Sequence, residues 1–260
     1  MSSPEALNVT FVLVPGSFTI PAEYDKVEGL LKDRGHKVKP VSLLSANDGT
    51  RMPPATVEED TAHIREELLS VLDAQRHNVV MCVHSYSGVP GSSALRGLSK
   101  PDRLAAGKDT SVLGIVYVGS FLPVVGQSLR DILGEAMPEP YKTGFPGEYM
   151  PAISSEMAAF IFNDVEDQSE MAKYYAMMTR HSSNSYGGKC TYAAWMDVQS
   201  VQIIPEKDVI LPVHVQEAMY ERAVKDGGKV KRVFLEGAGH CPNVSRPQLV
   251  VDELVGLVQA

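Results

Sequence analysis

The feature that most constrains the fold is an unbroken run of apolar and β-branched residues, VTFVLV at positions 9–14, which ends at Pro15-Gly16. A strand with one face in water alternates apolar and polar residues, whereas a strand covered on both faces does not. The run therefore predicts a buried strand of a parallel sheet. Parallel neighbours need crossover connections, so the rest of the chain is expected to alternate helix and strand.

The remainder of the sequence follows this alternation. Further strands are predicted over 37–41, 78–83, 111–118, 198–204 and 229–235, and helices over 22–34, 57–72, 212–226 and 246–258. This order is typical of an α/β fold, in which a mostly parallel, doubly wound sheet carries helices on both faces. We expect one domain spanning residues 1–260.

The alternation stops between residues 123 and 197. This segment begins rich in Pro, Gly and Met and then has helical patterns over 154–163 and 167–180. We interpret it as a helical lid inserted over the sheet, and the core as residues of about 7–122 and 198–260.

Composition excludes several classes of protein. The formal net charge is -8 and no Lys/Arg cluster is present, which argues against a nucleic-acid partner. Cys82, Cys190 and Cys241 lack paired spacing, and no run of about 18 apolar residues or signal peptide is found. We expect a cytoplasmic protein with no membrane partner, and a homodimer is compatible with the sequence.

Groups able to do chemistry follow three of the predicted strands. VHSYSG at 83–88 contains two serines, PEKD at 205–208 contains two acids, and EGAGH at 236–240 ends in His240. Carboxyl ends of parallel strands gather at one edge of a sheet. The order serine, acid, histidine is that of a nucleophilic triad, with Ser85 or Ser87 as nucleophile and Asp208 or Glu206 as acid.

A serine hydroxyl needs help to attack a carbonyl group near neutral pH. Neutral His240 would take its proton, and the carboxylate of Asp208 would orient the ring. Two N–H groups must then bind the oxyanion, and Tyr86 and Ser17 stand at the expected places. Gly16 allows the tight turn before Ser17, and Phe18 would wall the pocket.

These segments resemble the α/β-hydrolase superfamily over nearly the whole chain. The sequence is similar to the small carboxylesterase branch, with plant methylesterases, hydroxynitrile lyases and uncharacterised fungal and microbial relatives. The stretches that carry the resemblance are LVPGSF, similar to an LVHGA loop, and GIVYVGSFLP, PEKDVILP, EGAGHCPNVSRP and FIFND through TYAAW. The resemblance implies that Ser85, Asp208 and His240 form the triad, with Ser17 and Tyr86 as oxyanion donors.

The sequence departs from that pattern at several positions. The usual G-x-S-x-G elbow has Val83 and Ser87 at its flanks, where small residues are wanted. Pro15 replaces a histidine but leaves the backbone donor available. Cys241 stands where hydroxynitrile lyases carry a lysine, so we do not expect cyanohydrin cleavage.

Other residues have two readings each. The lid residues Met157, Phe160, Tyr175, Met178 and Trp195 either line an apolar substrate pocket or pack the lid on the core. His84 is expected to give structural support. The remaining histidines are expected to be solvated or capping groups: His36, His63, His77, His181 and His214. No pattern supports a metal site.

We therefore predict a serine esterase or lactonase that acts on a small, largely apolar molecule through an acyl-enzyme. No cofactor is expected, because the first strand leads into PGSF rather than G-x-G-x-x-G. The same triad could instead cleave a C–C bond by a retro-Claisen or retro-aldol step, or cyclise a natural product. A ligand receptor without turnover is the alternative from another class.

Overall fold

The computed structural model describes residues 8–137, 141 and 147–258. Its strands are β1 Val9–Val14, β2 Lys37–Pro40, β3 Ala46–Asn47, β4 Asn78–His84, β5 Val112–Val118, β6 Arg180–His181, β7 Gln199–Pro205 and β8 Val230–Leu235. The main sheet has six parallel strands in the order β2-β1-β4-β5-β7-β8, and a two-stranded sheet pairs β3 with β6. The predicted α/β fold with a parallel sheet is confirmed.

Helices follow most of the strands. They are α1 Asp25–Asp33, α2 Val57–Leu69, α3 Gly88–Ala94, α4 Lys100–Ala105, α5 Leu129–Leu133, α6 Ser155–Ile161, α7 Gln168–Ala176, α8 Val213–Lys225, α9 Pro242–Ser245 and α10 Pro247–Gly256. Within the described ranges, no helix is both long and apolar enough to cross a bilayer.

Strand β1 is buried on both faces, as its apolar run predicts. Phe11 and Leu13 belong to an apolar cluster that includes residues of α1 and α10, while Val12 and Val14 belong to another that includes Ile64 of α2. Alternate residues of a strand point to opposite faces. The two clusters therefore cover the two faces of the sheet.

The segment between β5 and β7 contains α5, α6, α7 and β6. The predicted helix over 167–180 is wrong at its end, because α7 stops at Ala176 and Arg180–His181 pairs with Ala46–Asn47 as a short antiparallel sheet. A hydrogen bond joins the two ends of this segment, because the indole N–H of Trp195 donates to the carbonyl of Pro123 at 2.8 Å.

Two histidines expected to be solvated or capping are buried instead. His77 contacts the hydroxyl of Thr10 at 2.9 Å. His181 accepts from the N–H of Phe18 at 3.3 Å through Nδ1, which leaves Nε2–H to donate to Ser185 at 3.0 Å. Burial lowers the pKa of His181 from 6.5 to about 3, so its ring is neutral near pH 7. The local sequence did not predict this burial, because Ser185 is a near neighbour of His181 but Phe18 lies in a distant segment, the loop after β1.

Helix α3 packs very close to the sheet. A Cβ on Gly91 would lie 2.7 Å from Cγ1 of Val83, and one on Gly88 would overlap the carbonyl oxygen of Phe121. Glycine at these positions brings the start of α3 against the ends of β4 and β5. It also provides the space that Val83 needs at the elbow.

We expect Gly91→Ala to lower the free energy of unfolding by about 1–3 kcal/mol, because the added methyl group overpacks against Val83. Gly29→Ala is the matched control, since no atom lies within 4 Å of its added Cβ. That control should be neutral or stabilising by up to about 1 kcal/mol. Urea unfolding measures all these values.

The double variant Val83→Ala/Gly91→Ala tests the contact itself. It should be less destabilised than the sum of the two single variants, with a coupling of about 0.5–3 kcal/mol. Strict additivity would contradict the proposed contact.

His181 should make the protein less stable as pH falls. Its folded pKa lies below 6.5, so below that pH the unfolded state binds more protons than the folded state, and folding stability decreases toward pH 3. Between pH 7.5 and 5.0 we expect the wild type to lose about 2 kcal/mol more than His181→Gln, in which this titration is absent. Urea midpoints at both pH values measure the difference, and equal losses would contradict a buried, neutral His181.

Candidate active site

Ser85 lies in a strained turn between β4 and α3. Its φ of 51° is in the left-handed region that residues with a side chain rarely adopt. The carbonyl of Ser85 accepts from the hydroxyl of Ser120 at 2.7 Å and from the N–H of Phe121 at 3.3 Å. These bonds tie the turn to the end of β5, and 8 % of Ser85 is left exposed to the cavity in front of it.

Ser87 is held in a different way. Its hydroxyl contacts the carbonyls of Val14 at 3.1 Å and His84 at 2.8 Å, and it accepts from the N–H of His84 at 3.0 Å. The side chain is fully buried. Ser87 therefore caps the turn and joins the ends of β1 and β4, while Ser85 faces the cavity.

The three groups expected to form a triad are in contact. Nε2 of His240 lies 3.1 Å from Oγ of Ser85, and its Nδ1 lies 2.8 Å from Oδ2 of Asp208. All three side chains are buried. This is a nucleophile, a base and an orienting acid in hydrogen-bonding order.

Asp208 is fixed by the chain around it. Its Oδ1 accepts from the N–H groups of Ile210 at 2.9 Å and Leu211 at 2.8 Å, and its Oδ2 accepts from the amide of Gln216 at 3.0 Å. These three donors hold the carboxylate in the orientation that contacts His240.

Glu206, the alternative acid, lies on the surface. It accepts from the N–H of Gly237 at 2.8 Å and so links the acid loop to the histidine loop.

The need for glycine at position 119, just after β5, was not predicted from the sequence. Gly119 lies close to the loop that carries His240. It has a φ of 45°, and a Cβ there would lie 2.7 Å from the carbonyl of His240.

The loop after β1 approaches the elbow closely. A Cβ on Gly16 would lie 2.7 Å from Nδ1 of His84, so only glycine fits. The N–H of Gly16 donates to Glu23 at 3.2 Å, and that of Phe18 donates to His181, as described above. The N–H of Ser17 lies between these two occupied donors, in a residue that lines the same cavity as Ser85.

A buried ion pair, which the sequence reading also missed, supports the elbow. Oε1 of Glu23 lies 3.0 Å from Nδ1 of His84, and neither atom has another hydrogen-bonding partner among the described residues. Burial raises the pKa of Glu23, but the charge of His84 together with hydrogen bonds from His84, Gly16 and Thr19 outweighs burial, and the pKa lies below its usual value. Burial lowers the pKa of His84, but the charge and hydrogen bond of Glu23, with the carbonyl of His240 and the charge of Asp208, more than offset it. The structural role expected for His84 thus has a specific partner, and its Nε2 contacts the carbonyl of His240 at 3.0 Å.

Cys241 lies beside this pair. Among the described residues, Glu23, His84 and Cys241 are the one group of metal-ligand types whose ligand atoms all lie within 4.8 Å of one another. Burial, followed by the negative charges of Glu23 and Asp208, raises the pKa of the Cys241 thiol well above its usual value. The thiol is therefore protonated and a poor nucleophile, and beside it Glu23 and His84 pair with each other.

Ser85 and His240 lie at the base of a cavity of about 720 Å³, counted to its open mouth. Besides the polar groups at its base, the walls are mostly apolar and aromatic. The wall residues are Phe18, Phe121, Leu129, Leu133, Met137, Tyr141, Ile153, Met157, Ile161, Tyr186, Ile210 and Leu211. No Lys or Arg is among the described residues that line it.

Only some of the residues expected to line the substrate pocket do line this cavity. Phe18 and Met157 line the cavity, but Phe160, Tyr175, Met178 and Trp195 do not. Met157 and Ile161, four residues apart, share the face of α6 that lines the cavity, whereas Phe160 lies to the side of that face and has 56 % of its surface exposed. Tyr175 is 36 % exposed, Met178 packs on the core, and Trp195 binds the carbonyl of Pro123.

Helix α5 was not predicted from the sequence, although the residues at its start form a recognisable N-terminal cap. Ser128 accepts from the N–H of Asp131 at 3.1 Å, and Asp131 accepts from the N–H of Ser128 at 2.8 Å, which is a capping box. Leu129 and Leu133 follow with helical spacing and face the cavity. Four-residue spacing after a Ser-x-x-Asp cap could have predicted both wall residues.

Known proteins with similar sequences are hydrolases. A probable hydrolase, R7, of a Phoma species is 29 % identical over 250 residues, which cover 95 % of this chain and 98 % of that protein. A carbendazim hydrolyzing esterase of a Nocardioides species is 26 % identical over 167 residues, covering 62 % of this chain and 64 % of the esterase.

The fold and a family profile agree with these relatives. The structure of tomato methylketone synthase I complexed with 2-tridecanone superposes with a TM-score of 0.74 at 16 % identity, covering 97 % of this chain and 98 % of that one. Residues 11–253 match the profile described as the alpha/beta hydrolase family. The chain belongs to the alpha/beta hydrolase family and is a hydrolase of that type.

Proposed function

We propose that this protein is a serine hydrolase that cleaves a carboxylic ester or lactone of a small, largely apolar molecule through an acyl-enzyme. The observation that carries the proposal is the continuous contact from Ser85 through His240 to Asp208 at the base of an apolar cavity. The similarity of the sequence to a carbendazim hydrolyzing esterase also supports ester cleavage.

Acylation begins with attack of Ser85 Oγ on the ester carbonyl carbon. His240 Nε2 takes the hydroxyl proton as the new C–O bond forms, and Asp208 holds the ring in the tautomer that can accept it. The carbonyl oxygen becomes an oxyanion, for which the N–H groups of Ser17 and Tyr86 are the donors. His240 then gives its proton to the departing alkoxide.

Deacylation repeats these steps with water. His240 removes a proton from a water molecule, which attacks the acyl carbon, and the proton returns to Ser85 as the acid leaves. In a lactone the alkoxide stays attached to the acyl part, so a hydroxy acid is the single product.

The cavity indicates the kind of substrate. Its mostly apolar and aromatic walls favour aliphatic or ring groups. Because no Lys or Arg lines its described part and His84 is already paired with Glu23, a substrate carboxylate would have no free cationic partner there. We therefore propose neutral esters or lactones.

We also propose that residues 123–197 act as the lid. Most wall residues outside the sheet loops come from this segment, including Leu129, Met157 and Tyr186. A closed wall of this kind keeps bulk water away from the acyl-enzyme.

Ser85→Ala should lower kcat for p-nitrophenyl esters by about three orders of magnitude or more, because the nucleophile is lost. Ser87→Ala is the matched control. It should leave kcat within about tenfold of wild type while lowering stability by about 1 kcal/mol, since the hydroxyl only caps the turn. Steady-state kinetics and thermal unfolding measure the two effects. Full activity in Ser85→Ala would overturn the proposed mechanism.

Asp208→Asn should lower kcat by roughly 10³–10⁴-fold, because an amide cannot hold the tautomer of His240 that accepts the serine proton. Glu206→Gln removes the same charge from the neighbouring acid, which contacts Gly237 and not His240. That variant should retain most of the wild-type kcat. A larger loss in Glu206→Gln than in Asp208→Asn would assign the acid to Glu206.

A further inference from the structure

The side chain of Ser17 has no role in the mechanism above, which uses only its backbone N–H. Ser17 lines the cavity together with Ser85 and His240. We propose that the Ser17 hydroxyl is a third donor to the oxyanion, held in place by Tyr186 of the lid segment. The inference rests on the proposed acyl-enzyme function and adds a catalytic residue to it.

Tyr186 and Ser17 are joined by a hydrogen bond whose direction leaves the serine hydroxyl able to donate. The hydroxyl of Tyr186 donates to Oγ of Ser17 at 2.8 Å. A serine hydroxyl that accepts one bond still has its own proton to donate. The described residues give that proton no acceptor, and both hydroxyls belong to residues that line the cavity. An oxyanion in the cavity would supply the acceptor.

Tyr186 is itself held in one position by neighbouring rings. Its ring stacks on Tyr86 with centroids 5.9 Å apart and lies 5.4 Å from the ring of His181. Burial raises the pKa of Tyr186 well above its usual value, so the phenol stays protonated and can donate. A fixed donor to Ser17 restricts the directions in which the serine can donate in turn.

The same lid segment also fixes the backbone of the loop that carries Ser17. The N–H of Thr179 donates to the carbonyl of Phe18 at 2.7 Å, and the N–H of Phe18 donates to His181 at 3.3 Å. Phe18 itself has a φ of 62°, a strained value that needs such support. The loop that carries Ser17 is therefore preorganised, which is what an oxyanion donor requires.

The chemistry needs no further reactant. As Oγ of Ser85 bonds to the carbonyl carbon, the C=O π electrons move to oxygen, and the Ser85 proton goes to His240. Ser17 keeps its proton and donates it as a hydrogen bond to the new O⁻. Because this bond strengthens only as the negative charge develops, it should lower the barrier more than it improves substrate binding.

Ser17→Ala tests the proposal without removing the backbone donor, and alanine stands at the matching place of the related LVHGA loop. We expect kcat for a p-nitrophenyl ester to fall by roughly 10- to 100-fold with little change in KM, below the largest losses seen for a single donor because two backbone donors remain. Tyr186→Phe should give a smaller loss. In the Ser17→Ala background it should give no further loss, because both hydroxyls act through one bond.

A trifluoromethyl ketone gives a readout that a structural role would not move, since it adds to the nucleophile and forms a tetrahedral oxyanion. Its affinity should fall in Ser17→Ala by the same factor as kcat/KM, while the affinity of the matching methyl ketone stays unchanged. Tyr149→Phe is the control for Tyr186→Phe. Its hydroxyl bonds to Asn47 and Arg51, both at 2.9 Å, and Tyr149 is not among the residues that line the cavity.

Different results would overturn the role of Ser17 and the proposed function. If Ser85→Ala is inactive but Ser17→Ala keeps the wild-type kcat and trifluoromethyl ketone affinity, the third donor is overturned and the triad stands. If Ser85→Ala keeps full activity, the proposed function itself is overturned. Equal weakening of both ketones in Ser17→Ala would assign Ser17 to packing and overturn its role as a donor.

Discussion

The left-handed backbone of Ser85 is the constraint on which the other contacts of the site depend. Such a conformation disfavours a residue with a side chain by about 1–2 kcal/mol, so it persists only where neighbouring groups hold it. Ser120 and Phe121 bind its carbonyl from β5, and Ser87 ties the turn to β1. In return the turn brings Oγ within reach of His240. The ends of three adjacent strands are thereby joined behind one hydroxyl group.

Two buried carboxylates near that hydroxyl group are each paired with a histidine. Isolated buried carboxylates are strongly disfavoured, and removing one partner of a buried pair leaves the other uncompensated. Asp208 is surrounded by N–H donors and His240, while Glu23 faces His84 and two further donors from Gly16 and Thr19. The rings of His84 and His240 lie 4.8 Å apart. Two carboxylate–imidazole pairs thus stand side by side, one on the path of the proton and one beneath it.

The sequence predicted those parts of the molecule that depend on local pattern. The run at 9–14 identified a strand covered on both faces, and Ser85, Asp208 and His240 were found because each lies just past the end of a strand. Contacts between distant segments could not be predicted in this way. His181 is buried because it meets the loop at Phe18, and Glu23 gains its role from His84. Likewise, which face of α6 meets the cavity depends on how the segment between β5 and β7 packs, and there Met157 lines the cavity while Phe160 does not.

The contact between Val83 and Gly91 has a consequence for how such sites can change. The elbow requires one small residue where strand and helix touch, and here the helix supplies it at Gly91. A chain with glycine on the strand and a larger residue on the helix would meet the same requirement. Substitution can lead from one arrangement to the other only through a form that is small at both positions, because the form that is large at both would force the elbow open. The order of the two substitutions is therefore imposed by geometry, and a search that demands glycine at the strand position overlooks every chain that has completed the exchange.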